Sequence, residues 1–186
     1  MFKTVIKLTG CVIISLFLTS CASLKSKHYV GIKEPIEKED LEEESIWQFE
    51  DKVFYVRALD PATAIASSLK WDDSKKEYKI ITTQVVLTKL DEHLFLNLKG
   101  EKEDLYTILR LTGSMDGTMI IFTVDDEEIE KHIKEGKVKA IKKGDNFILE
   151  LTKEELDSYV RENLNNLFDY DIAGIIKPLK GFKEKE

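Results

Sequence analysis

The sequence predicts an α+β fold that is mainly antiparallel β, a meander sheet or half-barrel with two amphipathic helices in its C-terminal half. Two observations carry this prediction. Apolar and polar residues alternate with period two in a series of segments between residues 46 and 122. Beyond them, two stretches open on the same helix-start pattern, Asp125 with Glu128 and Thr152 with Glu155.

The globular domain is expected over residues 46–186, beginning at Ile46-Trp47-Gln48-Phe49. Val53-Phe54-Tyr55-Val56-Arg57-Ala58 reads as a strand and Thr63 to Trp71 as a second, although Asp60-Pro61 also offers a cap and first turn for a helix through Ala64, Ile65 and Leu69. The polar turn Asp72-Asp73-Ser74-Lys75-Lys76 then leads into a long strand from Tyr78 to Lys89. His93 to Leu98 sets Leu94, Leu96 and Leu98 on one face. Leu105 to Leu111 sets Leu105, Thr107, Leu109 and Leu111 on one face and Tyr106, Ile108 and Arg110 on the other. Asp116-Gly117 is a hairpin signal, and Met119-Ile120-Ile121-Phe122, apolar on both faces, reads as a central strand.

In the helix starts, Asp125 and Thr152 supply the caps, Glu128 and Glu155 the third position, and Val124 with Ile129 and Leu151 with Leu156 the apolar staples. The first helix ends near Gly136. The second carries Leu156, Val160, Leu164 and Leu167 on one face, as a helix lying on a sheet requires. Between them, Val138 to Ile141 and Phe147 to Leu151 form a hairpin around Gly144-Asp145-Asn146.

Three runs carry a family resemblance: Leu90-Asp91-Glu92-His93-Leu94-Phe95-Leu96-Asn97-Leu98, Thr118-Met119-Ile120-Ile121-Phe122-Thr123-Val124-Asp125 and Leu151-Thr152-Lys153-Glu154-Glu155-Leu156. From about Tyr78 to Asp169 the chain resembles a group of uncharacterised bacterial envelope proteins, many of them lipoproteins. That resemblance implies a small antiparallel barrel or half-barrel with helices packed on it, lipocalin-like in outline. It transfers no activity.

The N-terminus resembles a bacterial lipoprotein signal. Lys3 and Lys7 give the basic start, an apolar stretch runs to Leu18, and Leu18-Thr19-Ser20-Cys21 supplies the aliphatic and small residues that precede a lipidated cysteine. Residues 1–20 are expected to be cleaved, because an apolar stretch of about 11 residues falls short of the roughly 20 that a spanning helix needs. Leu8-Thr9-Gly10-Cys11 matches the same pattern, but only three residues separate Lys7 from Cys11, too few to enter a bilayer first. Cys21 is therefore the expected lipidation site, its thiol being the nucleophile for a thioether. The resemblance implies further acylation of the new N-terminus, and two or more chains hold firmly where one is marginal. Neither Ala22 nor Ser23 is the aspartate that resembles an inner-membrane retention signal, so the periplasmic face of the outer membrane is favoured in a double-membraned organism. Residues 21–45, charged and ending in Glu37-Lys38-Glu39-Asp40-Leu41-Glu42-Glu43-Glu44, are expected to form a tether. As a flexible coil it would hold the domain about 25 to 30 Å from the lipid.

Composition narrows the function classes. Residues 1–20 contain Lys3 and Lys7 as their only charged groups, so cleavage leaves 26 basic residues against 35 acidic ones. A chain this acidic gains nothing from neutralising phosphates, which argues against nucleic acid as a partner and assigns the membrane contact to the acyl chains. With Cys11 removed and Cys21 blocked, no thiol is left for a disulfide, a cysteine nucleophile or a thiolate metal site.

The sequence offers no catalytic motif, and no metal or cofactor is expected. His28 falls in the tether and His132 is expected on an exposed helix face beside Lys131. His93 follows Asp91 and Glu92, but adjacent strand residues point to opposite faces. The acids at 125–128 are explained by capping and the helix dipole. Aromatics concentrate at Trp47, Phe49, Phe54, Tyr55 and Trp71, and a closed or half-closed sheet would let Trp47, Phe54 and Trp71 line a cavity for a small apolar ligand. The function expected is that of a lipid-anchored, non-enzymatic envelope protein that meets a protein partner. The alternative is a lipocalin-like binder of a small apolar molecule. A filled interior with an exposed apolar patch favours the first, and an aromatic-lined cavity the second.

Overall fold

A computed structural model of the chain describes residues 23–34, 44–101, 103–113, 118–168 and 174–179. Twelve strands and two helices are present among them: β1 (Ser23–Ser26), β2 (Ile32–Lys33), β3 (Glu44–Phe49), β4 (Lys52–Asp60), β5 (Thr63–Asp72), β6 (Glu77–Leu90), β7 (His93–Gly100), β8 (Tyr106–Gly113), β9 (Met119–Phe122), α1 (Asp126–Lys134), β10 (Ala140–Lys143), β11 (Asn146–Leu149), α2 (Lys153–Leu167) and β12 (Gly174–Pro178). The expected class is observed, mainly antiparallel β with two helices in the C-terminal half.

The sheet closes completely. β3 to β8 form a meander, β12 pairs with both β3 and β9, and β9 returns to β8, giving an eight-stranded barrel in the order β8-β7-β6-β5-β4-β3-β12-β9. β8 makes closure and branching possible together. Residues 110–113 of β8 pair with β9, while residues 106–108 on the same edge pair with β1, which runs parallel to β11 and carries β10 outside it.

Alternation assigns the two faces of this wall. Leu94, Leu96, Leu98, Leu109, Leu111 and Ile121 point inward and pack with Phe49, Val85, Leu87, Met119 and Ile176. An eight-stranded barrel is just wide enough to be filled by such side chains. Outward from the same strands, Phe95 and Ile108 join Leu24, Phe147 and Leu149, and the two helices cover this layer with Ile129, Leu156, Val160, Leu164 and Leu167. The protein thus has one core inside the barrel and a second between barrel and helices.

Both helix starts form as expected. The Asp125 side chain accepts the Glu128 N–H at 3.0 Å, and Thr152 and Glu155 complete a reciprocal capping box. Residues 63–72 form a strand, not a helix, because the Asp60 carboxylate accepts the Ala62 N–H and closes a tight turn. The second hairpin sits two residues later than expected on its first arm, at Ala140–Lys143. The Asp116-Gly117 turn lies outside the described residues.

The expected tether is corrected over its described part. Residues 23–34 belong to the fold: Leu24 is fully buried between Ile108 and Phe147, its partners in neighbouring strands. After β1 the chain turns back. The Val30 N–H donates to Asn97 Oδ1 and the Gly31 N–H to Asp157 Oδ1, before β2 adds to the end of β6. Glu44 and Ser45 already lie in β3.

Candidate functional site on the uncovered wall

The barrel wall opposite the helices, β4 to β6, is covered by residues 30–34 only at its Thr63–Val86 end, where Thr63, Val86 and Thr88 are buried; toward the β5–β6 turn it has no second layer among the described residues. β5 and β6 stay paired from Thr63–Val86 to Asp72–Glu77, whereas β4 follows β5 only as far as Ser67 and β7 follows β6 only as far as Thr83. Residues 68–72 and 77–82 therefore continue beyond both neighbours as a two-stranded finger.

Cross-strand pairing places Leu69 opposite Ile80 and Trp71 opposite Tyr78, all on the outer face. Leu69 and Ile80 are each 69% exposed and Tyr78 67%. Trp71 meets Tyr78 edge to face at 4.9 Å, and its indole N–H donates to Asp73 at 3.1 Å. Val53 and Tyr55 of β4 extend the same apolar surface.

The finger is held at its tip. The Asp72 carboxylate pairs with Lys79 and accepts from Ser74 Oγ and from the N–H groups of Ser74 and Lys75. Lys79, then Ser74, hold that carboxyl far below the usual carboxylate range. Lys76 takes a left-handed conformation, φ 55°, to complete the turn. A tip fastened in this way presents Leu69, Trp71, Tyr78 and Ile80 as a preformed surface.

The three aromatic residues expected to line one cavity do not converge. Trp47 and Phe54 are cross-strand partners, half-buried and inward-facing, and the Trp47 indole N–H donates to Ser45 Oγ at 2.8 Å. Trp71 stands on the outer face of the finger. The reason is parity: Ala64 pairs with Val85 inside the barrel, so the odd residues of β5, Trp71 included, point out. Cys21, the expected lipidation site, lies outside the described residues. Leu69, Tyr78 and Ile80 are not among the site residues expected from the sequence, yet the spacing Leu69-x-Trp71 and Tyr78-x-Ile80 around a polar turn is the signal that marks them.

His132 corrects the sequence expectation, being 2% exposed. Its Nε2 lies 3.0 Å from Glu128 Oε1 and its Nδ1 2.9 Å from the Tyr159 hydroxyl, which ties α1 to α2. Both ring nitrogens are thus hydrogen-bonded, one to the carboxylate and one to the phenol. Burial pushes the Tyr159 hydroxyl well above its ordinary value, so it remains a protonated donor and not a nucleophile. Lys131 first, and then His132, hold the Glu128 carboxyl below its ordinary value. His93 is placed elsewhere, its Nδ1 3.5 Å from Arg110 Nη2, and His28 follows β1, its N–H donating to Ser26 Oγ.

One further hollow, of about 170 Å³, opens on the outer wall between Ile65, Thr82, Gln84, Lys99, Gly100 and Glu101. It is shallow and mixed in polarity, and it adjoins the base of the finger. No family model, curated protein or solved structure matches this chain.

Proposed function

We propose that this chain is a lipid-anchored cell-envelope protein, attached through acyl chains on Cys21, whose barrel has no chemistry of its own and presents the β5–β6 finger to a protein partner. The observation that carries the proposal is the apolar outer face of the finger, Leu69, Trp71, Tyr78 and Ile80, on the wall that the helices leave uncovered. The partner expected is an extended segment of another envelope protein. Among the described residues, neither 68–72 nor 77–82 has a strand on its outer edge, so their backbone groups are available to an added strand while the apolar face holds its side chains.

The test is site-specific photo-crosslinking in intact cells, with the crosslinker in place of Leu69 or Ile80 and, as control, of Glu154 on α2. A discrete adduct is expected from the finger positions only, and Trp71→Ser should abolish it. Equal labelling at Glu154, or an adduct indifferent to Trp71→Ser, would exclude the finger as the docking surface.

The second reading, a small apolar ligand in the lumen, draws on Trp47 and Phe54. They face inward, and Val56, Ala58, Ala64 and Ala66 follow along the same inner face of β4 and β5, on the side of the barrel away from the packed leucines. An apolar fluorophore that gains emission in wild type and loses it in Phe54→Ser would favour that reading.

A further inference from the structure

Ser23 begins β1, and its N–H donates to the Asp145 carbonyl in the β10–β11 turn at 2.9 Å. Only Ala22 separates it from Cys21. Chain of that length reaches about 7 Å, so no spacer exists between the expected lipid site and the folded barrel. Whatever membrane holds Cys21 is in contact with this corner of the protein.

The corner is basic in a chain that is otherwise acidic. Residues 137–146 hold Lys137, Lys139, Lys142 and Lys143 against Asp145 alone. Lys137 is paired with Glu135 and Lys142 with Glu130, while Lys143, at the end of β10 next to the Ser23–Asn146 row, makes no ion pair among the described residues. Ile141, on the same face of β10 as Lys143, is 51% exposed. Of the other described turns at this end of the barrel, β4–β5 carries Asp60, paired with Lys33, and β6–β7 carries Glu92 and Asp91, the latter paired with Arg161. Among the described turns the β10–β11 corner, with Lys143 free of an ion pair, is therefore the one that fits a head-group surface.

Resting on the reading of Cys21 as lipidated, we infer that the barrel sits directly on its bilayer through the β10–β11 corner, with Lys143 on lipid phosphates and Ile141 at the head-group boundary. The same geometry aims the finger outward. Leu24, Ile108, Asn97, Val86 and Thr63 form one transverse row across the strands. Glu77 lies nine residues along β6 from that row, about 30 Å at 3.3 Å per residue, on the side away from Ser23. The protein is thus a rigid spacer, its length set by the hairpin and not by a flexible tether.

The experiment is amine acetylation footprinting of the full chain purified from membranes, in detergent and in vesicles containing phosphatidylglycerol, with the modified peptides and the Cys21 peptide read together by mass spectrometry. Lys75 and Lys76 at the finger tip are the internal standards. With Cys21 acylated, Lys143 is expected to react about fivefold more slowly in vesicles than in detergent, while Lys75 and Lys76 stay unchanged. Acylated Cys21 with Lys143 unprotected, or with Lys75 and Lys76 protected as well, would overturn the docked orientation and leave the anchor standing. An unmodified Cys21 would overturn both.

Discussion

Asn97 and Val30, 67 residues apart in sequence, are joined by a buried hydrogen bond in which the Val30 N–H donates to Asn97 Oδ1 at 2.9 Å. The same amide donates to Thr88 Oγ1 at 2.8 Å and to the Val86 carbonyl at 3.3 Å, and both Asn97 and Thr88 are fully buried. One side chain therefore satisfies three groups and fastens the N-terminal segment to the barrel wall. Asn97→Leu should cost about 2 to 4 kcal/mol, the sum of lost bonds and stranded buried partners. Urea unfolding measures the cost, and proteolysis should begin at residues 26–31.

Gly31 is expected to be intolerant of any side chain. Its φ is +73°, and a Cβ there would lie 2.4 Å from the Lys89 carbonyl oxygen. Backbone strain of about 1 to 2 kcal/mol adds to a clash with main chain that cannot rotate away. Gly31→Ala should also lengthen the bond from Gly31 N–H to Asp157, now 2.8 Å, and so lower the melting temperature well beyond the same change at Gly136, which has open space around it.

How much of this was legible in the sequence follows from how local each cause is. The caps at Asp125 and Thr152 were legible because three or four residues decide them, and the inward leucines of β7 and β8 because alternation survives in any sheet. The strand Ser23–Ser26 was not. Its Ser-Leu-Lys-Ser composition suits a tether equally well, and only β8 and β11, more than 80 residues away, turn Leu24 into core. His132 was legible in principle: it lies three residues from Ile129, so helical spacing puts it on the buried stripe, whatever the charge of Lys131 beside it. The splitting of Trp71 from Trp47 and Phe54 depends on strand register, which is fixed by which residues occupy each turn.

Four lowered carboxyls and the raised Tyr159 hydroxyl bear on the acid and the alkaline limits of stability. The carboxyls of Glu128, Glu130, Glu135 and Glu155 all lie below their ordinary 4.5 in the folded protein, held chiefly by Lys131, Lys142, Lys137 and the Thr152 N–H respectively. The unfolded chain binds protons first on acidification, so their contribution is present above pH 4.5 and is lost as pH falls through the lower folded values. Tyr159 works at the other end. Its folded value is raised, so above pH 10 the unfolded chain ionises first and stability falls. Tyr159→Phe should lessen the alkaline fall, to which the raised Tyr55, Lys131 and Lys142 also contribute, while costing about 1 to 3 kcal/mol at neutral pH, because His132 Nδ1 loses its hydrogen-bond partner. Urea midpoints taken across pH 3 to 11 would check both limbs.

The two walls of the barrel should respond unequally to the loss of an aromatic ring. Phe95 is fully buried between barrel and helices and meets Phe168 edge to face at 5.6 Å, so Phe95→Ala should cost about 3 to 5 kcal/mol. Trp71 has a larger ring but is 43% exposed, and its aromatic contact among the described residues is with Tyr78, itself on the surface. Trp71→Ser should therefore cost about 1 kcal/mol or less, the worth of one cross-strand aromatic pair. Leu69→Ser, 69% exposed, should cost less still. If urea unfolding instead gave Trp71→Ser a cost near that of Phe95→Ala, the finger would be a structural element closed by its own side chains. A small cost leaves its apolar face unexplained by folding, as the proposed docking role expects.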